Sequence, residues 1–342
     1  MTKIKIKIIG TGSYLPSKIV TNGDLSAILE TDDEWISSRT GIKQRHIASP
    51  TENTSDLATH ALKNALAMCN LEGNDLDAII VITTTPDMIF PSTAIKVQYN
   101  VGMLKGFAFD MQTVCSGFVY GLYVAEKFLR TNAVKRVAIV GAEIMSRIVN
   151  WNDRSTCILF GDGAGAVILE AHQTTNASDI LDVMLASDPS LQDALYARDT
   201  NVRLKNTSLN RLSHLIGDFI SPNEEDFGIK MNGAAVFKNA VDGMVRMSLE
   251  VLERNNITHN DINWLLIHQA NMRITHAVAE KLQIPLSKVM ESITDCANTS
   301  VATIPIGLDK YVRNNPQLQR GDLLLVATAG AGMTFSSAII RF

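Results

Sequence analysis

Short apolar runs bounded by turn residues recur along the chain, with stretches of helical periodicity between them. The runs Ile4–Ile9, Ala78–Thr83, Phe107–Gln112, Arg136–Val140, Ala164–Glu170 and Ile180–Ala186 predict strands. So do Trp264–Ile267, Leu323–Thr328 and Phe335–Ile340. Apolar spacing predicts helices over Asp56–Cys69, Ser92–Val101, Gly117–Leu129, Ala234–Arg254 and Met272–Leu282. Strands alternating with helices point to an α/β fold with buried sheets. The halves echo each other: helix, apolar strand, polar signature, helix, glycine-rich turn, final strand. Gly161-Asp162-Gly163-Ala164-Gly165 precedes Ala166–Glu170 in the first half, and Gly330-Ala331-Gly332 precedes Phe335–Arg341 in the second. Between Asp188 and Asp226 the pattern breaks into polar, weakly periodic sequence, which reads as a surface excursion.

Composition narrows the class. The 342 residues are 46% hydrophobic and 19% charged, which fits a well-packed globular protein and excludes disorder. A net charge of −4 and a pI near 6.0 give no overall basic footprint for nucleic acid. The N-terminal Met1–Ile9 alternates lysine with isoleucine, a strand pattern rather than a signal peptide. No apolar run reaches the roughly 18 residues of a membrane span, so a cytoplasmic protein is expected. Cys69, Cys115, Cys157 and Cys296 form no CxxC pair and read as free thiols. The histidines show no metal-ligand spacing, so no metal is expected.

Three polar residues stand where chemistry is done. Cys115 follows the strand-like Phe107–Val114 and precedes a helix whose Phe118, Leu122, Ala125 and Leu129 share one face. Unpaired N–H groups and the dipole at a helix N-terminus favour thiolate, so a thiol pKa lowered by a unit or more is expected there. The alternative is a buried structural cysteine. His268 ends the run Trp264–Ile267, at the carboxyl end of a strand where α/β proteins bind ligands. Its alternative is a core histidine bonded to backbone. Asn298, in Asp295-Cys296-Ala297-Asn298-Thr299-Ser300, reads equally as an ordinary helix cap. Asn271 is the candidate cap for the helix at Met272.

Gly161–Ala166 fits a loose GxGxxA dinucleotide loop, but the following Val167–Glu170 reads as strand rather than helix. A tight backbone approach explains these glycines better. Trp35 and Arg39, four apart, would share a helix face offering a stacking plane and a phosphate fork. Their alternative is an amphipathic surface helix capped by Thr31 or Asp32.

Together these segments resemble the β-ketoacyl-acyl-carrier-protein synthase III family, the initiating condensing enzymes of type II fatty acid synthesis. The matching stretches are Gly10–Pro16, Thr31–Ile47, Phe90–Ser92, Val114–Phe118, Phe160–Ala166, Val236–Phe237, His268–Arg273, Asn298–Ser300 and Ala338–Phe342. Cys115, His-Gln-Ala-Asn at 268–271 and Asn-Thr-Ser at 298–300, in that order, are specific together.

The resemblance implies an α/β, thiolase-like, five-layered αβαβα fold of two pseudo-symmetric halves, residues 1–172 and 173–342. It implies a homodimer in which Phe90 helps floor the partner's acyl pocket. It also implies catalysis by Cys115, His268 and Asn298, with an acyl-CoA acylating Cys115 and malonyl-acyl-carrier protein decarboxylating to attack the thioester. The backbone N–H groups of Cys115 and of Ala331 in the glycine turn would form an oxyanion hole. Trp35 and Arg154 would sandwich the CoA adenine, Arg39 would approach its phosphates, and Asn271 would line the pantetheine tunnel. Lys238, Arg273 and Lys281 would face the acidic carrier protein, or else be solvated helix charges. Acyl-CoA is a substrate in this scheme, so no cofactor is implied.

The chain departs from the family pattern at Ala297, Ala329 and Ala331, where glycine, phenylalanine and glycine are usual, and at Ala234 and Ala235, where polar residues are. Two alternatives remain. One is a specialised homologue with another acyl donor or acceptor in polyketide or other secondary metabolism. The other is an inactive protein of this fold that only binds CoA or a carrier.

Overall fold

The computed structural model describes residues 4–173, 179–198 and 228–342. Most of the expected excursion, 199–227, lies outside the described residues.

The first half contains β1 (Ile4–Tyr14), a short ribbon of β2 (Lys18–Thr21) and β3 (Gln44–Ile47), and helix α1 (Asp33–Thr40). It continues with α2 (Thr54–Met68), β4 (Ala78–Ile82), α3 (Thr93–Asn100), β5 (Phe107–Met111), α4 (Gly117–Arg130), β6 (Arg136–Glu143) and β7 (Gly163–Gln173). The second half contains β8 (Ile180–Ser187), the paired β9 (Leu195–Arg198) and β10 (Gly228–Met231), and α5 (Gly233–Arg254). Then follow β11 (Trp264–Ile267), α6 (Met272–Lys281), α7 (Thr303–Asn314), β12 (Leu323–Gly330) and β13 (Thr334–Arg341).

The halves share one topology. The first sheet runs β1-β7-β6-β4-β5 and the second β8-β13-β12-β11. In both, two antiparallel pairings are followed by a parallel one: β1/β7, β7/β6 and β6/β4 match β8/β13, β13/β12 and β12/β11. The edge strand β5, parallel to β4, has its echo in a single parallel bridge between Val289 and Leu265.

Side-chain alternation sorts these strands into layers. Ile80, Ile82, Val137, Ile139, Val167 and Leu169 face inward and pack with Leu266, Leu324, Val326 and Ile340 of the other sheet, around α4 and α7. Their neighbours Ile79, Val81, Ala138, Val140 and Ile168 face outward, onto α2 and α3. Leu265, Ile267, Leu325, Ala327 and Ile339 face α5 and α6. The result is helix, sheet, helix, sheet, helix. Both sheets are buried on both faces, so their strands read as unbroken apolar runs.

The sequence-predicted strands and helices recur, with ends shifted by at most five residues. β1 shows the largest shift, continuing past Ile9 to Tyr14 through a register shift between Ile8 and Gly10. Gly10-Thr11-Gly12, beyond the predicted run, is strand, with α2 packed close against it. A Cβ at Gly12 would fall 2.3 Å from the carbonyl oxygen of Ala61. Asp32, not Thr31, caps α1, accepting the Trp35 N–H at 2.6 Å. Among the described residues, no helix is long and apolar enough to cross a membrane.

Gly165 marks a close backbone approach in the inner layer. A Cβ there would lie 2.7 Å from the Ile306 nitrogen and 2.8 Å from the Pro305 carbonyl carbon, both backbone atoms of α7. Gly165→Ala must push α7 off β7, and overpacking of this kind costs about 1–3 kcal/mol. Urea unfolding should show a lower midpoint by that amount with an unchanged slope. An unchanged midpoint would mean that α7 is not pinned there.

Candidate active site

The two inner helices begin alike. Val114–Ser116 forms a single 3-10 turn leading into α4, and Ser300–Ala302 forms one leading into α7. Each turn opens on a non-glycine residue in the left-handed region, Val114 at φ 48° and Ser300 at φ 52°. Such conformations cost about 1–3 kcal/mol each and persist only where surrounding contacts impose them. At the first turn, Ser116 donates to the Thr334 carbonyl at 3.0 Å and accepts from the Thr334 hydroxyl at 3.1 Å. Gly330, ending β12, lies so close that a Cβ would meet the Ser116 nitrogen at 2.9 Å. At the second, Asn298 donates its N–H to Leu159 at 2.9 Å, and its carbonyl accepts from Gly161 at 3.1 Å. Gly161-Asp162-Gly163 is thus a backbone crossroads, and β7 follows it rather than a helix.

The turns meet. Cys115 Sγ is 3.6 Å from Ser300 Oγ. Asn298 Oδ1 accepts the Ser300 N–H at 2.8 Å, which turns its amide nitrogen away from that bond. His268 follows β11 directly, donating its N–H to Ala327 at 3.0 Å. Its Nδ1 lies 2.7 Å from Thr303 Oγ1. Cys115, His268 and Asn298 are nearly inaccessible, at 5, 3 and 5% exposure.

All three line one cavity of about 540 Å³ that reaches outward past Asn271 and Phe237 to Trp35, Arg39 and Arg273. A second cavity of about 600 Å³ also borders Cys115 and Ala331 and extends to Thr84, Met88 and Ile89. Cys115 therefore stands where two cavities meet, and the second also reaches the surface, at Ile89, which is 77% exposed. Asn271 caps α6, accepting the Arg273 N–H at 2.8 Å, and lines the passage as well.

The outer residues are arranged less simply. Arg154 stacks directly on Trp35, 4.5 Å from the ring centre, with Arg39 also over that ring at 4.7 Å. Trp35 and Arg154 thus lie too close for another ring to enter between them, so an adenine sandwich requires Arg154 to swing away. Phe90 is 82% exposed and does not line the second cavity of its own chain. Lys238, Arg273 and Lys281 are exposed on α5 and α6. Lys281 pairs with Asp242 at 2.8 Å, and Arg273 lies over Phe237.

Electrostatics correct one expectation. The helix N-terminus was expected to lower the Cys115 pKa, but burial pushes it up to about 12; the Ser300 hydrogen bond opposes this and the Glu143 charge adds to it. Desolvation outweighs the partial charge of the helix end because the sulfur is sealed between the turns. Burial likewise pushes His268 down to about 3. Both groups are neutral at pH 7, and no thiolate–imidazolium pair forms.

Two contributors had no role in the sequence reading. Thr303 orients His268, and Glu143 lies behind Ser300, whose hydroxyl is 3.2 Å from Glu143 Oε1. The available signal for Glu143 was a carboxylate closing the apolar run Arg136–Ala142, where charge is rare unless partnered.

Comparison with known proteins finds similar chains. One family model, 3-oxoacyl-[acyl-carrier-protein (ACP)] synthase III, matches residues 109–189, and its C-terminal counterpart matches 252–342. The chain is similar to the β-ketoacyl-[acyl-carrier-protein] synthase III of Ehrlichia canis, 45% identical over 334 residues and 98% of each protein. The crystal structure of 3-oxoacyl-[acyl-carrier-protein] synthase III from Aquifex aeolicus superposes with a TM-score of 0.88 at 40% identity, covering 98% of this chain and all of that one. The Thermus thermophilus synthase III gives a TM-score of 0.86 at 37% identity, covering 98% of both chains.

The buried imidazole makes a pH prediction. His268 refuses a proton down to about pH 3, whereas an unfolded histidine accepts one near 6.5. Its contribution to stability is complete above pH 6.5 and is lost as pH falls from 6.5 towards 3. Chemical denaturation between pH 4 and 6 should show a pH slope less steep in His268→Gln by up to about 1.4 kcal/mol per unit. Equal slopes would mean that His268 is solvated.

Proposed function

The chain belongs to the β-ketoacyl-[acyl-carrier-protein] synthase III family of acyltransferase condensing enzymes, and from that premise we propose that it joins a short acyl-CoA to malonyl-acyl-carrier protein through an acyl-Cys115 intermediate. The observation that carries this reading is the shared lining of one passage by Cys115, His268 and Asn298, with Trp35 and Arg39 at its outer end.

Acylation divides one hard step into two. Cys115 sulfur attacks the thioester carbonyl, CoA leaves, and the acyl chain enters the second cavity, the chamber that ends at Met88 and Ile89. Backbone N–H groups of Cys115 and Ala331, which border that chamber together, hold the oxyanion. Malonyl-carrier protein then takes the passage vacated by CoA. Loss of carbon dioxide leaves an enolate on the thioester oxygen, and two neutral donors stabilise it: Nε2–H of His268 and the Asn298 amide. Each donor is aimed by a neighbour. The Thr303 hydroxyl, which also lies 3.0 Å from the Ser300 carbonyl, must donate to Nδ1 for Nε2 to carry the hydrogen that faces substrate, and the Ser300 N–H holds Oδ1, leaving the amide nitrogen. The low pKa of His268 supports this role, because a donor that stays neutral neither gives nor takes a proton. Carbon dioxide leaves where a proton would otherwise be removed, so no base and no cofactor are needed.

Around this centre, Trp35, Arg39, Arg154 and Asn271 bind the CoA, and Lys238 and Arg273 face the carrier protein together with Lys281. The working unit is a homodimer in the cytoplasm. Among the described residues, the outer side of β5 has no partner strand. Ile89, Phe90, Tyr99 and Leu104, all at least 77% exposed, cluster in sequence beside it. An unpaired strand edge flanked by large apolar side chains is a surface that a second copy covers.

Two measurements test this reading. One aimed donor is worth about 3–4 kcal/mol of barrier. Asn298→Ala and His268→Ala should each slow condensation with malonyl-carrier protein by about 10²–10³-fold while Cys115 still takes up an acyl group. Loss of acylation and condensation by equal factors would contradict the assignment. Sedimentation should give a species of twice 37.4 kDa for the wild type, shifted towards monomer by Ile89→Glu with Phe90→Glu. A monomeric wild type would refute the dimer.

A further inference from the structure

Glu143 has no task in the two steps above, yet it sits one serine away from the reacting sulfur. It ends β6 as Gly330 ends β12, so it occupies in the first half the place that the oxyanion turn occupies in the second. It is fully buried. Hydrogens converge on its carboxyl. Thr84 donates its N–H at 3.1 Å and its hydroxyl at 2.9 Å, and the hydroxyls of Thr85 and Thr83 lie at 2.7 and 3.2 Å. The Thr83 and Thr85 hydroxyls each accept a backbone N–H, from Thr85 and Ile144, so their own hydrogens are free for the carboxyl. No ion pair reaches it among the described residues. This set suits a carboxylate, which accepts at every position and donates at none.

The remaining donor is Ser300, at 3.2 Å from Oε1. A hydroxyl has one hydrogen. With that hydrogen given to Glu143, a lone pair of Ser300 faces Cys115 Sγ at 3.6 Å, and the thiol hydrogen has an acceptor. Ser300 holds this place from a left-handed backbone conformation, φ 52°.

We propose that Ser300 and Glu143 form a relay that takes up the thiol proton of Cys115 during acylation. The inference rests on the reading of Cys115 as the acylated residue. As sulfur forms its bond to the acyl carbonyl carbon, the thiol proton passes to Ser300 Oγ and the serine proton passes to Glu143. The carbon–sulfur bond to CoA breaks, and the proton returns along the same path to the departing CoA thiolate, so nothing is consumed. Ser300 touches the reacting atom; Glu143 acts through it.

The need for such an acceptor follows from burial. Burial pushes the Cys115 thiol up to about 12, so the sulfur still carries its proton at pH 7 when it meets the acyl-CoA. Burial also pushes Glu143 above the ordinary carboxylate range, which makes it a stronger acceptor than a surface glutamate.

The test is single-turnover acylation by acetyl-CoA, followed by intact mass from pH 6 to 9, for wild type, Cys115→Ser, Glu143→Gln, Ser300→Ala and the Glu143→Gln/Ser300→Ala double variant. Each relay variant should acylate at least tenfold more slowly at pH 7. The deficit should shrink as pH rises, because hydroxide replaces the missing acceptor, and the double variant should be no slower than the slower single. A wild-type rate in Glu143→Gln, a deficit constant across pH, or multiplied deficits in the double variant would overturn the relay. If Glu143→Gln does not fold, Ser300→Ala decides by the pH criterion alone. A wild type without adduct, or an adduct on Cys115→Ser, overturns both the relay and the reading beneath it. A normal wild type beside an unaffected Glu143→Gln overturns the relay alone.

Discussion

Everything at this site depends on two turns pressed against each other. Val114–Ser116 and Ser300–Ala302 begin equivalent helices of the two halves, and they touch through the Cys115 sulfur and the Ser300 hydroxyl. The contact needs both sheets to hold their inner helices at one depth, which close packing at Gly165 and Gly330 permits. It also needs a valine and a serine in left-handed backbone conformations. Strain of this kind is stored where the surrounding fold over-determines the geometry. Neither half could build the chamber alone.

Dehydration is the electrostatic consequence. Sealing the turns together leaves Cys115 a neutral thiol and His268 a neutral imidazole at pH 7. A charged pair would make a stronger nucleophile but would turn an imidazolium towards the enolate site. Neutral groups ask less of the site: the imidazole donates one hydrogen bond, the carboxamide another, and the sulfur must lose its proton only as it attacks. Glu143, buried behind Ser300, is placed for that last requirement.

Much of this was legible in the sequence, for physical reasons. Strands buried on both faces appear as unbroken apolar runs, so Ala78–Ile82 and Arg136–Glu143 declared themselves. Cys115 and His268 were marked by their place at the ends of such runs. Asn298 was ambiguous because one side chain suits both readings: its oxygen accepts the Ser300 N–H like a cap, while its nitrogen is turned away from that bond. The thiol pKa was misjudged because a helix N-terminus is visible in sequence and the burial of that terminus is not. The helix Thr303–Asn314 was not among the predicted ones, since Pro305 and Gly307 mask it as a helix. The closure of Arg154 onto Trp35 depends on pairing across 119 positions, which no local pattern records.

The central claim is that carbon–carbon bond formation runs through an acyl group held on Cys115. The most direct measurement is peptide mapping of the protein after exposure to acetyl-CoA, before and after addition of malonyl-acyl-carrier protein. The account predicts an acetyl group on the peptide that carries Cys115, which then disappears as a 3-oxoacyl-carrier protein forms. An acetyl group on Cys69, Cys157 or Cys296 instead, or one on Cys115 that malonyl-carrier protein does not discharge, would contradict it.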